Sequence, residues 1–130
     1  MKTKNKYWII AGILNLMIFF LHLIGGQLDL VNPMLDSSLS IERSAQLVGA
    51  WHIVTIILLA TSCILLSAGL GRRYSTNTEM IRLIGYLNLS FCLPFVLASF
   101  YYVLLVPQWI FFLPVGILAM IGLKKTPKDA

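Results

Sequence analysis

The chain has 130 residues, 58% of them hydrophobic and only 12% charged, whereas a soluble domain carries about 25% charged residues. That leaves too few polar side chains to coat a water-facing surface, so lipid is the expected solvent for a single integral membrane domain over residues 1–130. The net charge of +5 is not gathered into basic patches interleaved with aromatics, which argues against a nucleic-acid partner.

The first apolar run covers about 7–26 and reads YWIIAGILNLMIFFLHLIGG. A bilayer core about 30 Å thick is crossed by about 20 helical residues, so this run predicts a spanning helix. Its basic lead and apolar core imitate a secretory signal. However, no A-x-A-like cleavage site follows, and the core carries Asn15 and His22, so it is expected to be retained. Residues Gln27 to about Gln46 read as a polar, serine-rich outer loop with Asp29, Pro33, Asp36, Glu42 and Arg43, and a short helix near Ile41 to Ala45.

The second helix is expected over about 45–70 and the third over about 80–105, opened internally by Pro94. Val106-Pro107-Gln108 then interrupts the apolar pattern. Pro107 lacks a backbone donor and biases Val106 away from the helical region, which predicts a tight helical hairpin. The alternative is a long kinked segment, leaving three crossings. The fourth helix, about 108–123, is short. It must stand nearly upright or borrow Gln108 and Lys124 by snorkelling.

Lys2, Lys4 and Lys6 precede the first helix, Arg72, Arg73 and Arg82 surround the connection between the second and third, and Lys124, Lys125 and Lys128 follow the fourth. Only Arg43 falls in the outer loop. The positive-inside rule then gives an all-α, four-helix transmembrane bundle of antiparallel up-down helices, multi-pass in the inner membrane, with both termini cytoplasmic. Trp51 and Trp109 are expected at the outer interface and Tyr7 and Trp8 at the inner one.

Small and polar residues recur at helical spacing, as on the packed faces of membrane helices. Gly12, Asn15, His22 and Gly26 share a face of the first helix. On the second, His52, Thr55, Leu59, Ser62, Leu66 and Gly69 do so; on the third, Gly85, Asn88, Cys92, Phe95, Ser99 and Tyr102. Cys63 and Cys92 show no metal-ligand spacing and read as small apolar residues.

An ionisable side chain inside a membrane span is costly and marks a candidate site. The two histidines, His22 and His52, both fall in hydrophobic helices near the outer end, and neighbouring antiparallel helices would bring them to one depth. Trp51, Thr55, Gln27, Tyr101 or Tyr102, and Gln108 are expected to border the same pocket, with Asn15 deeper. The readings are hydrogen-bonded packing, axial ligation of a b-type haem as in membrane b-type cytochromes, with Gly25, Gly26 and Gly49 leaving room for the ring and Arg43 for a propionate, and a metal ion aided by Asp29 or Gln27. A proton relay would suit histidine, but no carboxylate lies within a span.

No Ser-His-Asp set, HExxH or phosphate loop is present, so an independent enzyme is not expected. The layout is similar to that of many small four-helix bacterial membrane proteins, the DoxX-like proteins among them, and no motif carries a residue over. The expected role is a ligand-binding, accessory or structural subunit whose partners are the lipid bilayer and either further copies of itself or a larger membrane complex. The rivals are a haem or metal redox protein and a minimal proton-coupled transporter acting as an oligomer.

Overall fold

The computed structural model describes residues 4–71 and 77–125. Among them the chain is entirely helical, with four helical rods and no strand. The first rod begins as α1 (Lys6–Phe20), continues through two wide turns, Leu21–Gly25 and Gln27–Val31, and ends in the single turn α2 (Asn32–Leu35). The others are α3 (Ile41–Gly69), α4 (Thr78–Tyr102) and α5 (Trp109–Lys124). The first rod, α3 and α4 are each long and apolar enough to cross a membrane, whereas α5 is a shorter apolar helix.

Local chemistry sets the ends. The Asn5 side chain accepts from the Tyr7 and Trp8 N–H groups at 3.1 and 3.4 Å, satisfying donors that the first turn leaves open. Ser40 caps α3 through the Arg43 N–H, and Asn77 caps α4 through the Glu79 N–H. α3 ends at Gly69, and Gly71 just beyond it takes a positive φ of 73° that favours glycine. The break expected at Pro107 is present, though α4 ends five residues earlier, at Tyr102. Val103 takes the left-handed conformation there (φ 53°), and the Ser99 hydroxyl accepts from the Val106 N–H at 3.0 Å.

The outer loop is much shorter than expected. The first rod runs on to Leu35 and α3 starts at Ile41, so only residues 36–40 connect them. The expected short helix near Ile41 is the first turn of α3. In the wide turns the backbone bonds reach back five residues, Gly26 N–H to the Leu21 carbonyl and Asn32 N–H to the Gln27 carbonyl. This spacing lets Pro33, which has no N–H to donate, follow without ending the rod.

α1 packs against both α3 and α5, and α4 packs against α5, whereas α3 and α4 barely touch. The order across the bundle is therefore α3, α1, α5, α4. Small residues permit these approaches: a Cβ on Gly12 would come within 2.9 Å of the Leu66 backbone nitrogen, and one on Gly116 within 3.0 Å of the Gly85 carbonyl. The buried α3 face runs through Thr55, Leu58, Ser62, Leu65, Ala68 and Gly69. It is thus rotated slightly from the expected stripe, with Leu59 exposed. On α4, Gly85 and Asn88 are buried, Cys92, Phe95 and Ser99 are half-buried, and Tyr102 is exposed. Cys63 faces outward.

Asn5 ties one end together. Its backbone N–H donates to the Gly69 carbonyl and its side-chain amide to the Gly122 carbonyl, both at 2.9 Å. The start of α1 and the ends of α3 and α5 are therefore level, which gathers Lys4, Lys6, Lys124 and Lys125 at that end. Lys2, Arg72, Arg73 and Lys128 lie outside the described residues. Trp8, near that end, is 3% exposed. Its indole N–H donates to the Ala119 carbonyl at 3.2 Å, and its ring lies against Gly122. The missing side chain at Gly122 opens a slot that draws the indole into the α1–α5 interface.

Candidate functional site

The contact between the first rod and α3 gathers polar residues in two layers. In the deeper layer, Asn15 is fully buried. Its amide donates toward the Leu58 carbonyl at 3.2 Å, the Thr61 hydroxyl at 2.8 Å and the Ser62 hydroxyl at 3.0 Å. Those hydroxyls donate in turn to carbonyls of their own helix, Thr61 to Ile57 at 2.7 Å and Ser62 to Leu58 at 2.6 Å. The direction of the bonds is therefore settled, with Asn15 as donor and α3 as acceptor. Its carbonyl oxygen is left without a partner. Such side-chain bonds between membrane helices contribute about 0.6 kcal/mol on average and up to about 2 kcal/mol.

Two turns further along, His22 and Trp51 make the second layer. Their rings stack at 3.8 Å between centroids with 11° between planes. The His22 Nε2 atom lies 3.2 Å from the Trp51 backbone carbonyl. A carbonyl can only accept, so the proton of His22 resides on Nε2 and Nδ1 is left as the acceptor. Thr55 also donates its hydroxyl to the Trp51 carbonyl, at 3.2 Å. One backbone oxygen thus joins His22 of the first rod to Thr55 of α3.

The wide turns of the first rod make room for this. A Cβ on Gly26 would fall 2.1 Å from Cζ2 of Trp51, so the indole lies directly over the Gly26 backbone. The indole nitrogen itself is buried without a hydrogen-bond partner. Gly25 and Gly49, by contrast, face open space, since a Cβ on either would meet nothing within 4 Å.

His52, half-buried, follows Trp51 directly, projects about 100° around the helix from it and lies within electrostatic range of His22. The other expected members sit elsewhere. Gln27 turns to its own rod and donates to the Asn32 side chain at 2.9 Å. Tyr101 and Tyr102 pack edge-on against each other at 4.8 Å. They lie 80% and 66% exposed at the end of α4, the helix that barely touches α3. Gln108 is exposed at the start of α5. The structure therefore joins His22, Trp51 and Thr55, places Asn15 below them, and leaves Tyr101, Tyr102 and Gln108 on the surface.

Ligation of iron or another metal through Nε2 of His22 would replace its bond to Trp51. One face of the imidazole is taken by the indole. No three His, Cys, Asp or Glu side chains converge at metal-binding range among the described residues. An open groove of about 250 Å³ lies where the first rod meets α3, lined by Leu35, Leu39, Ile41, Ser44 and Ala45. It carries no titratable group. Sequence reasoning did not single out Asn5 or Thr61; an asparagine just before a helical run is a recognisable cap signal. No protein-family model, curated protein or solved structure matches the chain.

Proposed function

We propose that this chain is a multi-pass membrane protein of four crossings, with both termini in the cytoplasm, serving as an accessory or structural subunit. The observation that carries this reading is the inverted use of polarity. In the most apolar stretches of the three long helices, only 17–28% of residues are buried within the structure. The outward faces carry Ile10, Ile13, Met17, Phe20, Ile53 and Ile56, while Asn15, Thr55, Ser62 and Asn88 are buried within the bundle. Water would not tolerate that surface; hydrocarbon would favour it. α5, at 16 residues about 24 Å long, falls short of a core about 30 Å thick, so α5 would sit upright with the bilayer thinned locally or its ends snorkelling.

Inner-membrane residence and inward termini are supported by the basic residues gathered at the Asn5 end. The accessory role is supported by how the polar groups are spent. Asn15, Thr61 and Ser62 hold α1 to α3, Thr55 bonds within α3, and no nucleophile–base pair stands among them. Alkaline carbonate extraction of membranes tests the first part: the protein should stay in the pellet, and release into the supernatant would overturn it.

The stacked His22–Trp51 pair favours a second reading, in which this subunit carries a ligand at its outer end, with His52 as a further contact. Purification followed by a visible spectrum and metal analysis decides between a haem or metal carrier and a ligand without colour. A strong visible band lost in both His22→Ala and His52→Ala would establish haem ligation by the pair.

A further inference from the structure

We propose that the outer side of the bundle holds a water-filled recess above α5, reaching about 9 Å below the outer hydrocarbon boundary and ending at Gln108. The proposal rests on the transmembrane reading above and adds a place where water and small polar solutes enter the outer leaflet.

The four rods share one level at the Asn5 end and reach different heights at the other. Asn5 bonds to the Gly69 and Gly122 carbonyls, so the start of the first rod and the ends of α3 and α5 are level. Gln108 lies fourteen residues before Gly122, about 21 Å along a helix. The other rods climb past it. α3 is level with Gln108 near Thr55 and continues to Ile41; the first rod is level with it near Phe19 and continues to Leu35. On α4, the Cys92 thiol donates to the Trp109 carbonyl at 3.6 Å, and the helix runs on to Tyr102, about 15 Å higher. The Val106 N–H is held at Ser99, about 10 Å above Cys92, so the chain drops steeply across Pro107 to Gln108. A core about 30 Å thick, measured from the basic Asn5 end, closes about 9 Å above Gln108.

At that depth Pro107 and Gln108 are both exposed. The Gln108 backbone N–H and side-chain amide make no hydrogen bond among the described residues. Non-helical backbone is tolerated at membrane depth only where protein buries it or water reaches it, and protein does not bury this segment. Thinning the leaflet instead costs free energy for every ångström of mismatch. It would also have to occur between the first rod and α4, which flank α5 and stand at full height. Water meets the same need with no deformation.

The test is thiol accessibility of the whole chain in lipid nanodiscs, whose two faces are both open to the reagent, a charged maleimide. In a Cys63→Ala, Cys92→Ser background, single cysteines are introduced as Gln108→Cys, Ile56→Cys and Ser38→Cys. Ile56 lies thirteen residues before Gly69, at nearly the depth of Gln108, and is 67% exposed on the outward face of α3. Ser38, in the connection before α3, sets the rate in open water. Gln108→Cys should react faster than Ile56→Cys by on the order of tenfold or more, because only a hydrated thiol ionises to the reactive thiolate. Equally slow labelling of those two variants overturns the recess, whether lipid or a second copy covers the segment. Labelling of Ile56→Cys as fast as Ser38→Cys would overturn the membrane reading itself, and the recess with it. In the unsubstituted chain, the Gln108 backbone N–H should exchange rapidly with deuterium. Protection like that of the helix interiors would overturn the recess without any substitution.

Discussion

Replacing Gly122 by alanine adds one methyl group and should unlock the Asn5 end of the bundle. The added Cβ would lie 2.2 Å from the Trp8 indole nitrogen and 2.3 Å from Cδ1, where ordinary contact needs 3.4 Å or more. The indole must retreat by more than an ångström, yet it is buried and tethered to Ala119. Overpacking of this kind costs about 1–3 kcal/mol, and the loss of the indole bond adds about 1 kcal/mol. Replacing glycine within a helix returns about 1 kcal/mol, so the net destabilisation is about 1–3 kcal/mol. Gly25→Ala and Gly49→Ala gain the same helical preference and meet nothing within 4 Å, so they should be neutral or stabilising by up to about 1 kcal/mol. Equilibrium unfolding by sodium dodecyl sulfate in mixed micelles, followed by circular dichroism, ranks the three variants. Combining Trp8→Ala with Gly122→Ala should show a favourable coupling of about 1–3 kcal/mol, because the two groups collide. A Gly122→Ala protein as stable as Gly49→Ala would refute the packing described for Trp8.

Asn15→Leu should lose about 1 kcal/mol in the same unfolding assay, since Thr61 and Ser62 keep their own-helix acceptors. Asn15→Asp should cost clearly more, because it faces acceptors with an acceptor or a buried charge. Asn5→Ala should cost about 1–2 kcal/mol from the lost cap and the lost bond to the Gly122 carbonyl, and Asn5→Ser should recover the part due to the cap. Val103 is 91% exposed at a left-handed φ of 53°, so Val103→Gly should stabilise by about 1 kcal/mol without loss of packing. His22→Phe, which keeps the stack on Trp51 and removes one bond, should be less destabilised than His22→Ala; equal losses would show that the stacking contributes nothing.

The number of helices was legible from the apolar runs and from Pro107, because long apolar stretches and a missing backbone donor act locally. The small-residue faces were legible too, to within about one residue: Ser62, Gly69, Gly85 and Asn88 are buried as expected, while the aliphatic positions between them fall on Leu58 and Leu65. The extent of the first rod was not. Gln27, Asp29 and Asn32 make the segment polar, and polarity alone does not separate a loop from a helix that carries polar side chains. The wide turns left no mark in composition, since they depend on Trp51 docking over Gly26 from another helix. The docking of Trp8 into the slot at Gly122 is a contact that residue type does not reveal. At the candidate site, the nearness of His22 to the start of α3 followed from depth matching. Its partners, a backbone carbonyl and an indole face, are contacts that residue spacing does not reveal.

The central claim is that the apolar faces of four helices meet lipid and that α4 and α5 are two crossings joined at Pro107. Paired reporter fusions test it most directly, with a fluorescent protein that matures in the cytoplasm and a phosphatase that is active only outside it. Fused after Lys125, the fluorescent protein should glow and the phosphatase stay silent; inserted after Ser38, the phosphatase should be active. An active phosphatase after Lys125, together with an active one after Ser38, would mean three crossings and contradict the account.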